Sequence, residues 1–231
     1  MSRDIRIAVD GPSSAGKSSL ARALAKELGL IYVDTGAMYR TVALYMVTNG
    51  IDIHSADAVG AKLGEVALEL AWRDGAQTVI LNGQDVGDKI RTPEISLGAS
   101  AVSAMPAVRA FLLGKQKELA ARGGIVMDGR DIGTVIIPDA EVKLFLTAKP
   151  EIRAQRRVLE LRAKGIACEY EQILKETLER DEADRTRPIA PLIPAADAVE
   201  VDNSAEDLRN ALAVALQIVK EKTGRTPKET V

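Results

Sequence analysis

The stretch that decides the fold is Gly11-Pro-Ser-Ser-Ala-Gly-Lys-Ser18, which fits the pattern G-x-x-x-x-G-K-[ST] at every fixed position. Ile5 to Asp10 precedes it as a short apolar run and predicts a buried strand. Ser18 to Leu28 follows with apolar residues at helical spacing, and Gly29 is the expected stop. A glycine loop between a strand and a helix binds phosphate through backbone N–H groups and the helix dipole. The sequence therefore predicts a P-loop.

Each residue type in this loop suggests its own part in the chemistry. Lys17 is expected to bridge the β- and γ-phosphates of ATP, and Ser18 to ligate Mg²⁺ directly. Asp128 follows a later predicted strand and suits a Walker B-like role through water, with a strand-end turn residue as the alternative. Asp10 is expected to anchor the loop that follows it. The residues expected to bind ATP are Gly11, Pro12, Ser13, Ser14, Ala15, Gly16, Lys17, Ser18 and Ser19.

Strands and helices alternate along most of the chain, which indicates βαβ units. Leu30 to Asp34 reads as a second strand and Gly36 to Thr48 as a second helix. Further strands are expected at Gly124 to Met127, Val142 to Leu146 and Ala198 to Val201, with helices near 150–164, 169–183 and 205–222. The predicted fold class is α/β, a five-stranded parallel sheet with helices on both faces.

Residues 55–92 break this pattern and are predicted to form a small β-containing insertion. Ser55 is expected to cap a helix whose apolar face is Val59, Leu63, Val66 and Leu70. Asn82-Gly83 suits a type I′ turn in a hairpin from Thr78 to Val86. The predicted organisation is one domain over residues 1–222: a core (1–54, 93–150, 188–222), the insertion, a helical lid (150–187) and a flexible tail (223–231).

Composition limits the possible classes. Of 231 residues, 46% are hydrophobic and 28% charged, which is ordinary for a globular protein. A net charge of −2 gives no general attraction to nucleic acid or to an anionic membrane. Cys168 is the single cysteine, so an intramolecular disulfide and a multi-cysteine metal site are excluded. No signal-peptide pattern or long apolar run is present, and a cytoplasmic protein is expected.

Arginine recurs in three short polar clusters: residues 34–40, 127–134 and 180–187. The first two follow predicted strands, and the third ends a helix, where loops or a lid can reach the P-loop. Arginine binds phosphate oxygens bidentately and so suits a site in which donor and acceptor phosphates meet. The base-reading motif of guanine-nucleotide switches is absent from the sequence, as are ABC-type and helicase-type motif sets. These clusters favour a kinase.

In these motifs the chain resembles the bacterial cytidylate kinases over nearly its whole length. DTGAMYR (34–40), the Asn-Gly hairpin, IRTPEI (90–95), GRDIGT (129–134) and RDEADRTRPIAPLIPAADA (180–198) occur in the order of that family. The P-loop is common to many proteins, whereas the later motifs and the insertion are far more specific. One departure is Thr35, where some relatives carry serine and the hydroxyl is kept. Another is Ser18-Ser19, where some relatives have Gly-Thr, and Ser18 can still ligate the metal.

The resemblance implies roles for residues beyond the P-loop. Arg40, Arg130 and Arg187 would hold the acceptor phosphate with Thr35 nearby, and Arg180 and Asp184 would face the ribose hydroxyls. Ser100, Arg109 and Asp131 would face cytosine. The exocyclic amine of cytosine is a hydrogen-bond donor, so a carboxylate at Asp131 suits CMP better than UMP. The residues expected to be catalytic are Lys17, Arg130 and Arg187.

The expected activity is transfer of the γ-phosphoryl group of MgATP to CMP, and to dCMP, with Mg²⁺ as the cofactor. No nucleic acid, membrane or obligate protein partner is expected, and the chain is expected to be a monomer. Two alternatives stay open. One is a kinase for another small acceptor, such as UMP, AMP, shikimate or a deoxynucleoside. The other is a non-catalytic P-loop switch, which would have no second phosphate to bind.

Overall fold

The computed structural model describes residues 5–73, 76–205 and 208–227. The chain divides into two compact units: a first unit of Met1–Ile31 and Gly123–Val231, and a second unit of Tyr32–Arg122. The second unit is therefore longer than the 55–92 insertion predicted from sequence. Residues 228–231 of the predicted tail lie outside the described residues, as do residues 206–207 of the last predicted helix.

The elements follow in the order β1 Arg6–Asp10, α1 Lys17–Leu28, β2 Ile31–Asp34, α2 Thr35–Thr48, α3 Ala56–Lys62, β3 Leu68–Arg73, β4 Ala76–Leu81, β5 Gln84–Asp85, α4 Pro93–Ser103, α5 Pro106–Ala121, β6 Ile125–Gly129, β7 Val142–Thr147, α6 Pro150–Ala163, α7 Tyr170–Thr186, β8 Val199–Asp202 and α8 Leu208–Thr223. Short 3₁₀ turns cover Leu63–Glu65 and Lys89–Arg91, and a π-helix covers Ile132–Ile136.

Five of the strands form one sheet in the order β2-β6-β1-β7-β8, which confirms the predicted α/β fold. The central strand β1 runs parallel to β6 and β7, and the register places Asp10 opposite Gly129 and Phe145. The carboxyl ends of these strands therefore lie at the same edge of the sheet. The P-loop after β1 and the Arg130 segment after β6 both begin there.

The P-loop has the backbone that its glycines predict. Gly11 has φ 145° and Gly16 has φ 98°, values that residues with a Cβ rarely adopt. At Gly11 a Cβ would also lie 2.0 Å from the carbonyl oxygen of Leu146, so only glycine fits. Helix α1 begins directly after the loop and ends at Gly29 in the left-handed conformation, as predicted.

The second unit buries its own apolar core, in which α2, α4 and α5 take part. The predicted hairpin is confirmed: Asn82 and Gly83 have φ 48° and 79°, and β4 pairs with β5. Helices α4 and α5 had no predicted counterpart. No single helix in the described ranges has the length and apolar character of a membrane span; α4 and α5 pass only as a pair bent by 98°.

The helix predicted from Ser55 to Leu70 is wrong beyond its first turns. Ser55 does cap α3 by accepting a hydrogen bond from the Ala58 N–H, but α3 ends at Lys62. Leu70 lies on strand β3, which pairs antiparallel with β4 opposite Val79. The apolar residues from Val66 onward recur at every second position, which is the period of a strand rather than of a helix.

Candidate active site

Three side chains of the first unit donate hydrogen bonds to backbone carbonyl groups of the P-loop. Arg153 on α6 donates to the Ser13 carbonyl at 3.2 Å, and Arg156 donates to the Ala15 carbonyl at 3.3 Å. Asn203, after β8, donates to the same Ala15 carbonyl at 2.8 Å. These hydrogen bonds satisfy carbonyl groups of the loop and tie its backbone to α6 and to the residue after β8.

Lys17 is the first residue of α1, at the end of this loop, and is buried. Its Nζ donates to the Pro12 carbonyl at 2.6 Å. Burial lowers the pKa of Lys17 well below its usual value. The positive charge of the neighbouring Arg130 lowers this pKa further, whereas the carboxylate of Asp128 raises it. A desolvated ammonium beside another cation is stabilised by an anion, which a phosphate would supply.

Ser18 and Asp128 are in direct contact, as expected of a shared metal site. The Ser18 hydroxyl donates to Asp128 Oδ2 at 2.7 Å. A hydroxyl and a carboxylate offer the hard oxygen ligands that Mg²⁺ prefers. In the described ranges no group of three or more His, Cys, Asp or Glu residues is arranged to hold a metal. This donor set fits an ion that substrate phosphates also ligate, as Mg²⁺ in kinases is.

Arg130, Asp131, Asp184 and Arg187 form one ionic cluster in the first unit, in which Arg130 is half-buried and the other three are buried. Arg130 Nε donates to Asp184 Oδ2 at 2.9 Å, and Arg187 lies 3.6 Å from Asp184 Oδ1 and 3.5 Å from Asp131 Oδ1. Burial opposes the charge of Asp184, but Arg130 and Arg180 outweigh it and lower the pKa of its carboxyl. The Asp184 carboxylate is thus held ionised among arginines.

Helix α7 brings the late arginine cluster to this position. It ends at Thr186, and Arg187, the residue that follows, donates through its Nε to the Ala190 carbonyl at 2.6 Å. Asp181 on the same helix forms a bidentate ion pair with Arg153, the residue that holds the Ser13 carbonyl. The P-loop, α6 and α7 are therefore linked by direct contacts.

The acceptor residues predicted on α2 lie in the second unit, where Asp34 organises them. Asp34 caps α2 by accepting the Ala37 N–H at 2.9 Å and binds Arg40 Nη2 at 2.7 Å. The Gln77 side chain on β4 accepts a hydrogen bond from the Asp34 N–H at 2.8 Å, in the way that a backbone carbonyl of a neighbouring strand would. Thr35 begins α2 and is buried. Arg40 and Thr35 thus flank a helix N-terminus, where an anion is favoured.

The predicted base-facing residues of the second unit lie on consecutive helices. Ser100 is on α4, and Arg109 is on α5, where it is buried. The Arg109 guanidinium carbon lies 5.8 Å from the ring centroid of Tyr39, a cation–π contact, and Nη1 approaches the Ser103 carbonyl at 3.4 Å. Asp131, the third predicted base-facing residue, belongs to the cluster of the first unit.

Sequence reasoning missed the residues that support this site. Arg153, Arg156, Asn203 and Gln77 had no predicted role, and the Asp10 carboxylate binds the segment after β6 rather than the loop it was expected to anchor. The partners of Arg153 and Asn203 on the P-loop are 140 and 188 residues away. The only local signal was the pair of arginines three residues apart in a helix beside apolar residues.

Comparison with known proteins shows which sequences and structures this chain is similar to. A family model described as cytidylate kinase matches residues 7–221. A cytidylate kinase of Carboxydothermus hydrogenoformans is 45% identical over 94% of this chain and 98% of its own. One of Syntrophotalea carbinolica is 46% identical over 96% of this chain and 94% of its own. The solved structures include a gluconokinase of Sinorhizobium meliloti, with TM-score 0.48 and 17% identity, covering 97% of this chain and 96% of that one.

Proposed function

The chain belongs to the cytidylate kinase family, and on that premise we propose that it transfers the γ-phosphoryl group of MgATP to CMP and dCMP. The products are ADP and CDP or dCDP. The enzyme class is an ATP-dependent nucleoside monophosphate kinase. The role of each site residue is assigned from membership of this family and from the contacts of the described residues.

The observation that carries this proposal is the density of buried cations next to the P-loop. Lys17 and Arg187 are buried, and Arg130 lowers the pKa of Lys17 by its charge. A site for one nucleotide needs the loop and one lysine. Each additional arginine can bind two phosphate oxygens through its guanidinium group and so suits the phosphate of an acceptor. A nucleotide switch binds no acceptor phosphate.

For the acceptor phosphate we assign Arg40, Arg130 and Arg187, with Thr35 beside it. Each of the three arginines is bound to a carboxylate of its own unit: Arg40 to Asp34, the other two to Asp184. A doubly charged phosphate competes with these carboxylates for the guanidinium groups. Binding of CMP would therefore replace internal ion pairs with ion pairs to the substrate.

Discrimination among bases is assigned to Asp131, with Ser100 and Arg109. A carboxylate accepts a hydrogen bond from the exocyclic amine of cytosine, whereas the carbonyl that uracil carries there has no proton to donate. A buried acceptor without a donor costs about 1–3 kcal/mol, which corresponds to roughly 10-fold to 100-fold discrimination against UMP. Arg180 and Asp184 are assigned to the ribose hydroxyls.

The mechanism is a direct in-line displacement at the γ-phosphorus by an oxygen of the acceptor phosphate. That phosphate is largely ionised at pH 7, because its second pKa is about 6, so no general base is needed. Ser18 and Asp128 would hold Mg²⁺, which neutralises phosphate charge when bound. The P-loop N–H groups orient the donor, Lys17 stabilises the charge on the transferring group, and Arg130 and Arg187 bring the acceptor oxygen close.

A monomer without an obligate protein or nucleic-acid partner is proposed, acting in the cytoplasm, where ATP and nucleoside monophosphates are available. A kinase for UMP, AMP or shikimate is the nearest alternative, because the P-loop and its arginines would serve any of these acceptors. A non-catalytic switch is more distant, since it would leave the acceptor arginines without a ligand.

A substrate panel tests the proposal. The purified chain is assayed with ATP and Mg²⁺ against CMP, dCMP, UMP, AMP and shikimate, with ADP release coupled to NADH oxidation. The same panel is run on Lys17→Ala to subtract contaminating kinases. We expect kcat/KM for CMP to exceed that for UMP by about 10-fold or more. Equal or better use of UMP, AMP or shikimate would contradict the substrate assignment.

A further inference from the structure

Asp10 is a buried carboxylate at the end of β1 that the proposed mechanism does not use. Its Oδ1 accepts the Ile132 N–H at 2.8 Å, and its Oδ2 accepts the Gly133 N–H at 2.7 Å. Both oxygens are thus committed to the backbone of the segment that directly follows Arg130 and Asp131. The residue comes immediately before Gly11, so it joins the strand that leads into the P-loop to the segment after β6.

The two N–H groups that Asp10 binds open the π-helix Ile132–Ile136. The first N–H groups of a helix have no partner within it, and the residue at the N-cap position usually supplies an oxygen. Here the N-cap residue is Asp131, one of the strongest capping residue types, yet its side chain makes no capping hydrogen bond. Instead, its Oδ1 lies 3.5 Å from Arg187.

Asp10 therefore does the capping that Asp131 would otherwise do. We propose that Asp10 is a positioning residue, a cap supplied from β1 that keeps the Asp131 carboxylate turned away from its own helix and directed to the substrate base. This inference rests on the proposed function, because it gives Asp131 the task of reading cytosine. Asp10 itself contacts neither nucleotide and acts only through the segment it holds.

The space beside Gly133 is filled by Lys143 and Asp10. A Cβ at Gly133 would lie 3.2 Å from Lys143 Cδ and 3.4 Å from Asp10 Oδ2. Lys143 is itself buried, and its Nζ donates to Asp197 Oδ1 at 2.8 Å and to the Pro138 carbonyl. A side chain at position 133 would therefore crowd both Asp10 and an anchored lysine.

The consequence for specificity can be tested with Asp10→Asn, which has the same shape. Its single carbonyl oxygen can accept from one N–H, and its amide NH₂ then faces the other donor. The uncapped N–H becomes the natural partner of Asp131, which turns back onto its own helix. We expect the ratio of kcat/KM for CMP to that for UMP to fall about 10-fold, while the Kd for ATP alone changes less than about twofold.

Glu141→Gln is the matched control, because Glu141 holds the opposite end of β1 by accepting the Arg6 backbone N–H at 2.8 Å. We expect it to leave the CMP/UMP ratio unchanged. Gly133→Ala is the second variant: it leaves the Asp10 carboxylate intact, but its Cβ crowds Asp10 Oδ2 at 3.4 Å and Lys143 Cδ at 3.2 Å, so it should weaken the same contact and lower the same ratio. If Asp10→Asn does not fold, the CMP/UMP ratio of Gly133→Ala tests the inference in its place.

A double-mutant cycle separates positioning from a general loss of structure. In a chain that already carries Asp131→Asn, adding Asp10→Asn should change the CMP/UMP ratio of kcat/KM by less than about twofold. The Asp131 carboxylate that Asp10 positions is then already absent. An unchanged ratio in Asp10→Asn, or an equal fall with and without Asp131→Asn, would overturn the inference. A wild-type chain that makes no CDP from CMP would instead overturn the proposed function, so the two failures are distinguishable.

Discussion

Replacing Arg187 with alanine tests the lid and the acceptor site together. The side chain is 5% exposed, lies between Asp131 and Asp184 at 3.5 and 3.6 Å, and donates to the Ala190 carbonyl. Alanine removes a cation that we assign to the acceptor phosphate, but it leaves the P-loop and Lys17 unchanged. The change should therefore act on turnover and not on binding of ATP alone.

The magnitude follows from what remains in the cluster. Asp184 keeps its shorter bond to Arg130 at 2.9 Å, so the loss of folding stability should be about 1–3 kcal/mol rather than that of an unpaired buried charge. A transition-state arginine contributes about 10³–10⁵-fold in other phosphoryl-transfer enzymes. Because Lys17 and Arg130 remain, we expect kcat to fall by about 10²–10³-fold, which is at or below the lower limit of that range.

The assay is steady-state turnover at saturating CMP, paired with calorimetric titration of ATP in the absence of CMP. Arg185→Ala is the matched control, since Arg185 lies two residues earlier on α7, is 69% exposed and binds only Glu182 among its described ion pairs. It should change kcat less than about twofold. Normal turnover with weakened ATP binding in Arg187→Ala would place this arginine on the donor and refute the reasoning.

Three further predictions concern other residues of the first unit. Lys17→Ala should abolish turnover while the circular dichroism spectrum stays that of the wild type; more than about a tenth of wild-type kcat would show that another group stabilises the transferring phosphate. Asp131→Asn should reduce the CMP/UMP ratio of kcat/KM, because an amide can donate to uracil as well as accept from cytosine; an unchanged ratio would mean that Asp131 does not read the base. Burial, opposed by the N–H groups of Gly133 and Ile132, raises the pKa of Asp10 from 3.8 to about 6. Between these values the folded state binds more protons than the unfolded state, so this contribution to stability is full below about pH 4 and is lost as the pH rises through 6. The free energy of unfolding of the wild type minus that of Asp10→Asn should therefore fall by up to about 3 kcal/mol from pH 4 to pH 7, measured by urea unfolding; a difference that rises with pH would contradict the assignment.

The sequence was sufficient where the chemistry is local. Gly11, Gly16 and Lys17 define a loop whose positive φ angles and phosphate-binding geometry follow from residue type and spacing. Asn82-Gly83 predicted its hairpin for the same reason, because few other residue pairs tolerate two successive positive φ angles. The parallel sheet followed from the alternation of strands and helices.

The rest depended on contacts between residues far apart in the chain. The bonds from Arg153 to Ser13 and from Asp10 to Gly133 join residues 140 and 123 positions apart, and no local pattern marks either pair. The extended helix predicted from Ser55 was wrong because Leu63 fitted a helical period while the residues after Val66 alternated. This segment forms strand β3 instead of a helix because it pairs with β4, an interaction that local spacing does not reveal.

Transfer of the γ-phosphoryl group to a nucleoside monophosphate is the central claim, and a labelling experiment tests it most directly. ATP carrying ³²P in the γ-phosphate is incubated with the enzyme, Mg²⁺ and CMP, and the products are separated by thin-layer chromatography. We expect the label to appear in CDP, in amounts equal to the ADP formed, and little inorganic phosphate to be released. Label found only in inorganic phosphate, with no labelled CDP, would contradict it.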